Sequence, residues 1–392
     1  MGRTTPSTGA PPPSQRKDAR AKRAKQTVNK DIPTLLQAYP RVRNGIEASE
    51  LIPGLSAAHV DEMRMPKNGK AASDENALPV VGDDTNHTPA ASIENSKSPS
   101  KPLGIRVRVA DTLEAAVDLH RISRPQNPKQ FRIGILNMAS PLRPGGGFLN
   151  GATSQEESLC MRTTLLPALK EDFYRLPEIG AIYTPDVLVF RSSDLEATDL
   201  PKNERFFVDV ITAAMHRMPE IEEDEDGGRR YANDQDREAA EQKMRAVMRI
   251  ARSKGLKHLV LGAWGCGAYG NPVSEIAAAW RRVLLGDEKA KTKAGKKQDL
   301  TENEKWDGMG VVFAIKDGKM AELFAKYFGT ELETSLKSCG HNEDEEGSVE
   351  QESSNDELRT RIEGLEAQIA AARSDLLKDR LQSVLEKLRA SE

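Results

Sequence analysis

Cysteine is scarce: Cys160, Cys266 and Cys339 are the only three in 392 residues. They are too few and too scattered for a disulfide framework or a cysteine-based zinc site. Aromatics make up 5% and hydrophobics 38%, an average that sets polar ends around an ordinary globular centre. No run approaches the roughly 18 consecutive apolar residues of a membrane span. The opening MGRTTPSTGAPPPSQRKD contains no apolar signal-peptide core. A reducing compartment, nucleus or cytosol, is expected, and no membrane partner. Charge of one sign is lacking too, with 57 Lys+Arg against 60 Asp+Glu, so whole-chain charge singles out no class of partner.

The two signs are nevertheless segregated along the chain. Arg16, Lys17, Arg20, Lys22, Arg23 and Lys25 lie early, and acids dominate Glu343 to Glu357. The basic cluster reads either as a nuclear-import or nucleic-acid-touching segment or as the solvated face of an N-terminal helix.

Composition divides the chain. Residues 1–15, rich in Pro, Ser and Thr, are expected to be disordered. A helical extension follows over 16–66, with Ile32, Leu35, Leu36 and Tyr39 sharing one side. Residues 67–102 read as a linker rich in Asn, Asp, Ser and Pro. Between 103 and 328 short apolar runs alternate with helical windows. Six strands are predicted, at Ile105–Val109, Phe131–Asn137, Val187–Phe190, Phe206–Ile211, His258–Ala263 and Val311–Ile315. Helices are predicted at Thr112–Leu119, Gln155–Leu169, Asp236–Ser253 and Pro272–Leu285. Strands this apolar, alternating with helices, predict a mixed, largely parallel six-stranded sheet covered on both faces.

Two polar insertions, from Glu220 and from Gly286, interrupt that core. An acidic linker over 329–356 leads to a C-terminal segment, 357–392, where Leu358, Ile362, Leu365, Ile369 and Ala372 are spaced by four and three. It is expected to form a coiled coil or helical segment, for self-association, a partner helix or packing on its own domain.

Two glycine-rich stretches stand out. LVLGAWGCGAYGNP, Leu259 to Pro272, runs from a strand through a glycine-studded turn into a helix. Helix N-termini present free N–H groups and the positive end of the dipole, a geometry suited to phosphate. It lacks the Lys-Ser/Thr of a Walker loop and does not fit G-x-G-x-x-G. PGGGFLNGATSQEESL, Pro144 to Leu159, repeats the layout and adds a glutamate pair. Ser154 and Glu157 also fit a capping box, S-x-x-E. Glu156 and Glu157 point about 100° apart around a helix, so both can border one site. Two such loops at strand ends suit a ligand with two phosphates, and a carboxyl beside it suits glycosidic chemistry. No metal-ligand spacing is present, and neither a metal nor a cofactor is expected.

The order of GGG, six to eight residues and QEE resembles the signature of poly(ADP-ribose) glycohydrolases. The phrases ILNMASPLRPGGGFLNGATSQEESLCMRTTL, YTPDVLVFR, FFVDVITAA and LVLGAWGCGAYGNP resemble the microbial type, from about Arg16 to Phe328. The resemblance implies a macrodomain-like fold and hydrolysis of the ribose–ribose O-glycosidic bonds of poly(ADP-ribose). Its partners would be that polymer and ADP-ribosylated proteins, with no sequence-specific nucleic-acid binding. It implies Glu157 as catalytic acid and Glu156 as holder of the ribose hydroxyls. Substrate contacts would come from Asn137, Gly145, Gly146, Gly147, Phe148 and Gln155, and across the cleft from Gly265, Cys266, Gly267, Ala268, Tyr269 and Gly270. Ser140 stands where animal members carry Asn. Asp111 resembles an adenine-recognising position, yet with Glu114 it also spells a D-x-x-E helix cap, the favoured reading. Two other activities share this fold: hydrolysis of mono-ADP-ribose or O-acetyl-ADP-ribose, and non-catalytic reading of ADP-ribose.

Overall fold

The six predicted apolar runs all become strands of one sheet. The structure, a computed structural model, describes residues 13–54, 104–122, 132–194, 196–223, 228–286, 308–329 and 332–335, with Glu304, Trp306 and Gln382 singly. The extension supplies α1 (Pro13–Gln26), a π-helical turn (Thr27–Asp31), α2 (Ile32–Ala38), α3 (Pro40–Glu47) and β1 (Glu50–Pro53). Then follow β2 (Ile105–Arg108), α4 (Thr112–Ile122), β3 (Ile133–Met138), α5 (Gln155–Arg162), β4 (Gly180–Val189) and β5 (Phe206–Ala213). A small hairpin, β6 (Ile221–Glu223) and β7 (Arg229–Tyr231), precedes α6 (Asp234–Ser253), β8 (His258–Leu261) and α7 (Val273–Leu285). The described chain closes with β9 (Gly310–Ala314), α8 (Gly318–Phe328) and β10 (Glu333–Ser335).

Among the described residues the sheet has eight strands, not six, in the order β1-β4-β5-β3-β8-β9-β2-β10. Both added strands are edges with little strand signal: ELIP ends in proline, and ETS is polar and three residues long. Only β4 runs against the rest, so the sheet is largely parallel as expected. β4 also starts at Gly180 rather than Val187, because Pro185 and Asp186 form a bulge inside a continuous strand. The second predicted helix window, Gln155–Leu169, stops at Arg162, where Thr163, Thr164 and Pro167 favour 3₁₀ and extended turns instead. Helix α8 had no counterpart in the sequence reading.

Domain boundaries shift with these elements. α1 begins at Pro13, inside the stretch expected to be disordered, and β10 pairs with β2, so the sheet runs beyond 328 to Ser335. The linker 67–102, most of the 286 insertion and, apart from Gln382, the C-terminal segment lie outside the described residues.

Side chains alternate across the sheet, as strand geometry requires. Leu136, Ile211, Leu259 and Phe313 face one way, against Met244, Trp280 and Phe324 of α6, α7 and α8. Ile133, Ile135, Val210 and Val260 face the other way, against Leu113 of α4 and Leu159 of α5. That parity decides where polar residues at the strand ends point: Asn137 continues the Ile133–Ile135 face, and Thr212 continues the Val208–Val210 face. No described helix is long and apolar enough to cross a membrane.

Candidate active site

The carboxyl ends of β5, β3 and β8 lie side by side, and β3 and β8 lead into the two glycine-rich loops. Asn137 and Thr212 are register partners on β3 and β5, both buried. The Asn137 amide donates to Thr212 Oγ1 (3.3 Å) and Glu156 Oε1 (3.4 Å). Its carbonyl oxygen Oδ1 is buried with no hydrogen-bond partner. A buried acceptor left open is costly and uncommon, and at a strand end it is a ready contact for a ligand hydroxyl.

Glu156 and Glu157 sit in the first turn of α5, and both are buried. The adjacent side chains diverge as helix geometry demands. Glu156 turns to the end of β3, where Oε2 accepts the Ser140 N–H at 2.7 Å. Glu157 turns to the glycine triplet, where Oε1 accepts the Gly147 N–H at 2.7 Å and Oε2 accepts the Ser154 hydroxyl. Burial, reinforced by the neighbouring Glu157 charge and opposed by the Ser140 N–H, raises the Glu156 pKa to about 8. This carboxyl therefore carries its proton at neutral pH.

The capping-box alternative fails at α5. Ser154 makes no side-chain cap bond, and Glu157 bonds the loop rather than the Ser154 amide. At Asp111 the cap is formed: Asp111 Oδ1 accepts the Leu113 N–H (2.8 Å), and Glu114 Oε2 accepts the Asp111 N–H (3.4 Å). Gly146 has a left-handed φ of +54°, and a Cβ there would come within 2.6 Å of Glu157 Oε1 and 2.9 Å of Glu156 Oε2. Only glycine lets this backbone lie against both carboxylates.

The second loop faces the first. Tyr269 donates from its hydroxyl to Ala139 O at 3.4 Å, crossing from the β8 loop to the end of β3. Burial raises its pKa, while the nearby Arg217 charge lowers it. Asn271 pins the loop base, donating to Gly265 O (3.0 Å) and His216 O (2.9 Å) and accepting from Tyr231 (2.7 Å). Gly267 and Ala268 are the exposed tip. A Cβ added at Gly267 would meet nothing within 4 Å, so a ligand can approach that backbone.

Two expected contacts turn inward instead. Gln155 accepts the Met138 N–H (2.9 Å) and donates to Leu136 O (2.7 Å), so its amide extends the β3 hydrogen-bonding edge. Phe148 is 3% exposed and packs with Ala24 and Cys160 under the loop. Cys266 is half-buried against the α6–α7 side of the core. Ser140 contributes through its backbone N–H, so the missing Asn side chain leaves the Glu156 contact intact.

Sequence reasoning missed Thr212, whose signal was strand parity. It also missed Tyr174, whose hydroxyl is buried near Glu156 without a hydrogen-bond partner. The role of α1 went unread as well: Arg20 donates to Gly151 O (2.8 Å) and Arg23 to Ala197 O (2.8 Å), so part of the basic cluster braces the glycine loop.

Residues 67–192 match the family described as microbial-type PARG, catalytic domain. No curated protein sequence matches the chain significantly. Among solved structures, the poly(ADP-ribose) glycohydrolase (PARG) of Thermomonospora curvata is similar at 23% identity and a TM-score of 0.54, over 79% of this chain and 100% of that one. The same bacterial enzyme bound to the inhibitor ADP-HPD is similar at 21% identity and a TM-score of 0.51, over 79% and 100% of the two chains. These likenesses extend the PARG fold beyond the matched segment, and the loops around Glu156, Glu157 and Tyr269 stand on that fold.

Proposed function

We infer that this protein is a poly(ADP-ribose) glycohydrolase that cleaves the ribose–ribose O-glycosidic bond and releases ADP-ribose. The observation that carries the reading is the divergent glutamate pair, with Glu156 anchored at the end of β3 and Glu157 held against a glycine loop that has no room for a Cβ. In the proposed mechanism, Asn137 Oδ1 and the protonated Glu156 carboxyl hold hydroxyls of the ribose at the bond to be broken. The Gly145–Gly147 backbone lies against the ribose and pyrophosphate, and N–H groups of the Gly265–Gly270 loop take the phosphate oxygens. Glu157 gives a proton to the departing ribose oxygen as the anomeric carbon gains oxocarbenium character. Water then attacks that carbon, and its proton returns to Glu157. The loss of one positioned acid costs on the order of 10²–10⁴ in rate. Glu157→Gln should therefore lose turnover of purified polymer by about that factor while keeping ADP-ribose affinity, measured by product release and calorimetry. Undiminished turnover would overturn the assignment. Release from mono-ADP-ribosylated protein with polymer left intact would reassign the substrate.

A further inference from the structure

We propose that the rim outside the two glycine loops, Leu142 and Arg143 on one side and Arg217 and Met218 on the other, is an outer subsite for the next ADP-ribose unit of the polymer. This rests on the glycohydrolase reading above. Arg143 and Arg217 are both exposed, and among the described residues neither guanidinium has a hydrogen-bond or ion-pair partner. By contrast Arg132, Arg191, Arg237 and Arg249 are paired with carboxylates.

Both free arginines are tied by backbone to the catalytic loops. The Arg143 carbonyl accepts the Gly146 N–H at 3.3 Å, so its side chain leaves from the turn that bears on Glu157. Next to Arg217, the Met218 N–H donates to Tyr269 O at 3.0 Å, and Arg217 is near enough for its charge to act on the Tyr269 phenol. Each arginine also has an exposed apolar neighbour: Leu142 is 43% and Met218 44% exposed, and Leu149 on the same glycine loop is 49% exposed.

The chemistry that fits is a nucleoside diphosphate. Guanidinium groups bind phosphate oxygens through paired N–H donors, and exposed apolar side chains offer contact to a base. The glycine loops take the pyrophosphate of the unit being released, whereas a polymer presents another pyrophosphate beyond the scissile bond.

The test compares wild type, Arg143→Ala/Arg217→Ala and Arg143→Lys/Arg217→Lys on purified long polymer. The alanine pair should raise KM about tenfold with kcat within about twofold, and flatten the slope of log KM against log salt by about 1 to 1.5, as expected for two lost phosphate contacts. The lysine pair should recover most of the affinity. Calorimetric affinity for free ADP-ribose should stay unchanged. Unaltered KM and salt slope would overturn the proposal, as would an equal loss of ADP-ribose affinity, which would place the arginines on the inner unit. Polymer left uncut by wild type would instead overturn the glycohydrolase reading; binding of intact polymer to Glu157→Gln, with and without the arginine pair, would still measure the rim.

Discussion

At Glu156, position sets the proton. The carboxyl is 2% exposed, and burial dominates the rise of its pKa from 4.5 to about 8. A carboxyl whose pKa is raised on folding leaves stability intact below its unfolded value. As pH climbs from about 4.5 to about 8 the unfolded chain ionises and the folded one does not, and stability falls across that window. Glu156→Gln removes the penalty, so its melting temperature should exceed that of wild type by a margin that is small at pH 5 and largest at pH 8. Thermal scans at the two pH values check this, and an equal margin at both would refute it. Asn137 and Glu157 were legible as single residues because a strand and a glycine-to-helix junction bracket them. The spending of Gln155 and Phe148 on structure was not legible, since their direction depends on β3 and α1, which are distant in sequence.

At the level of elements, α1 lies across the segment that follows the glycine triplet. Gly151 is left-handed at φ +78°, and a Cβ there would run into Lys17 O of α1. The left-handed conformation alone costs a non-glycine residue about 1–2 kcal/mol. Gly151→Ala should lower stability by at least that much and raise KM for polymer by lifting α1 from the loop, without altering either glutamate. Denaturant melts and steady-state kinetics read the two effects, and a melt like that of wild type would show the contact to be inessential. Arg191, with 3% of its side chain exposed, extends the brace by pairing with Asp31 and Asp199. The periodicity of Ile32, Leu35, Leu36 and Tyr39 announced a buried helix face. It could not announce the target, Val42, Leu188 and Phe190, because a hydrophobic stripe carries no address.

At the level of the molecule, the extension is continuous with the core: β1 pairs along β4, and α1 covers Phe148 and Cys160. Removal of residues 1–53 should expose that apolar surface and give a protein that binds ANS and loses near-UV circular dichroism. A truncated chain with native-like spectra would show that the core stands alone. The sequence announced the six apolar strands and the sheet they form, because alternation and β-branched runs encode central strands strongly. Edge strands such as ETS took their conformation from the partner they pair with, and a partner is not written in three polar residues. The Gln155 amide, bonded to Leu136 O and the Met138 N–H, fastens the first turn of α5 to β3 as one more rung of the sheet. The two glutamates thus stand on the frame of the sheet, and Glu157 in turn ties the glycine triplet to that frame through the Gly147 N–H.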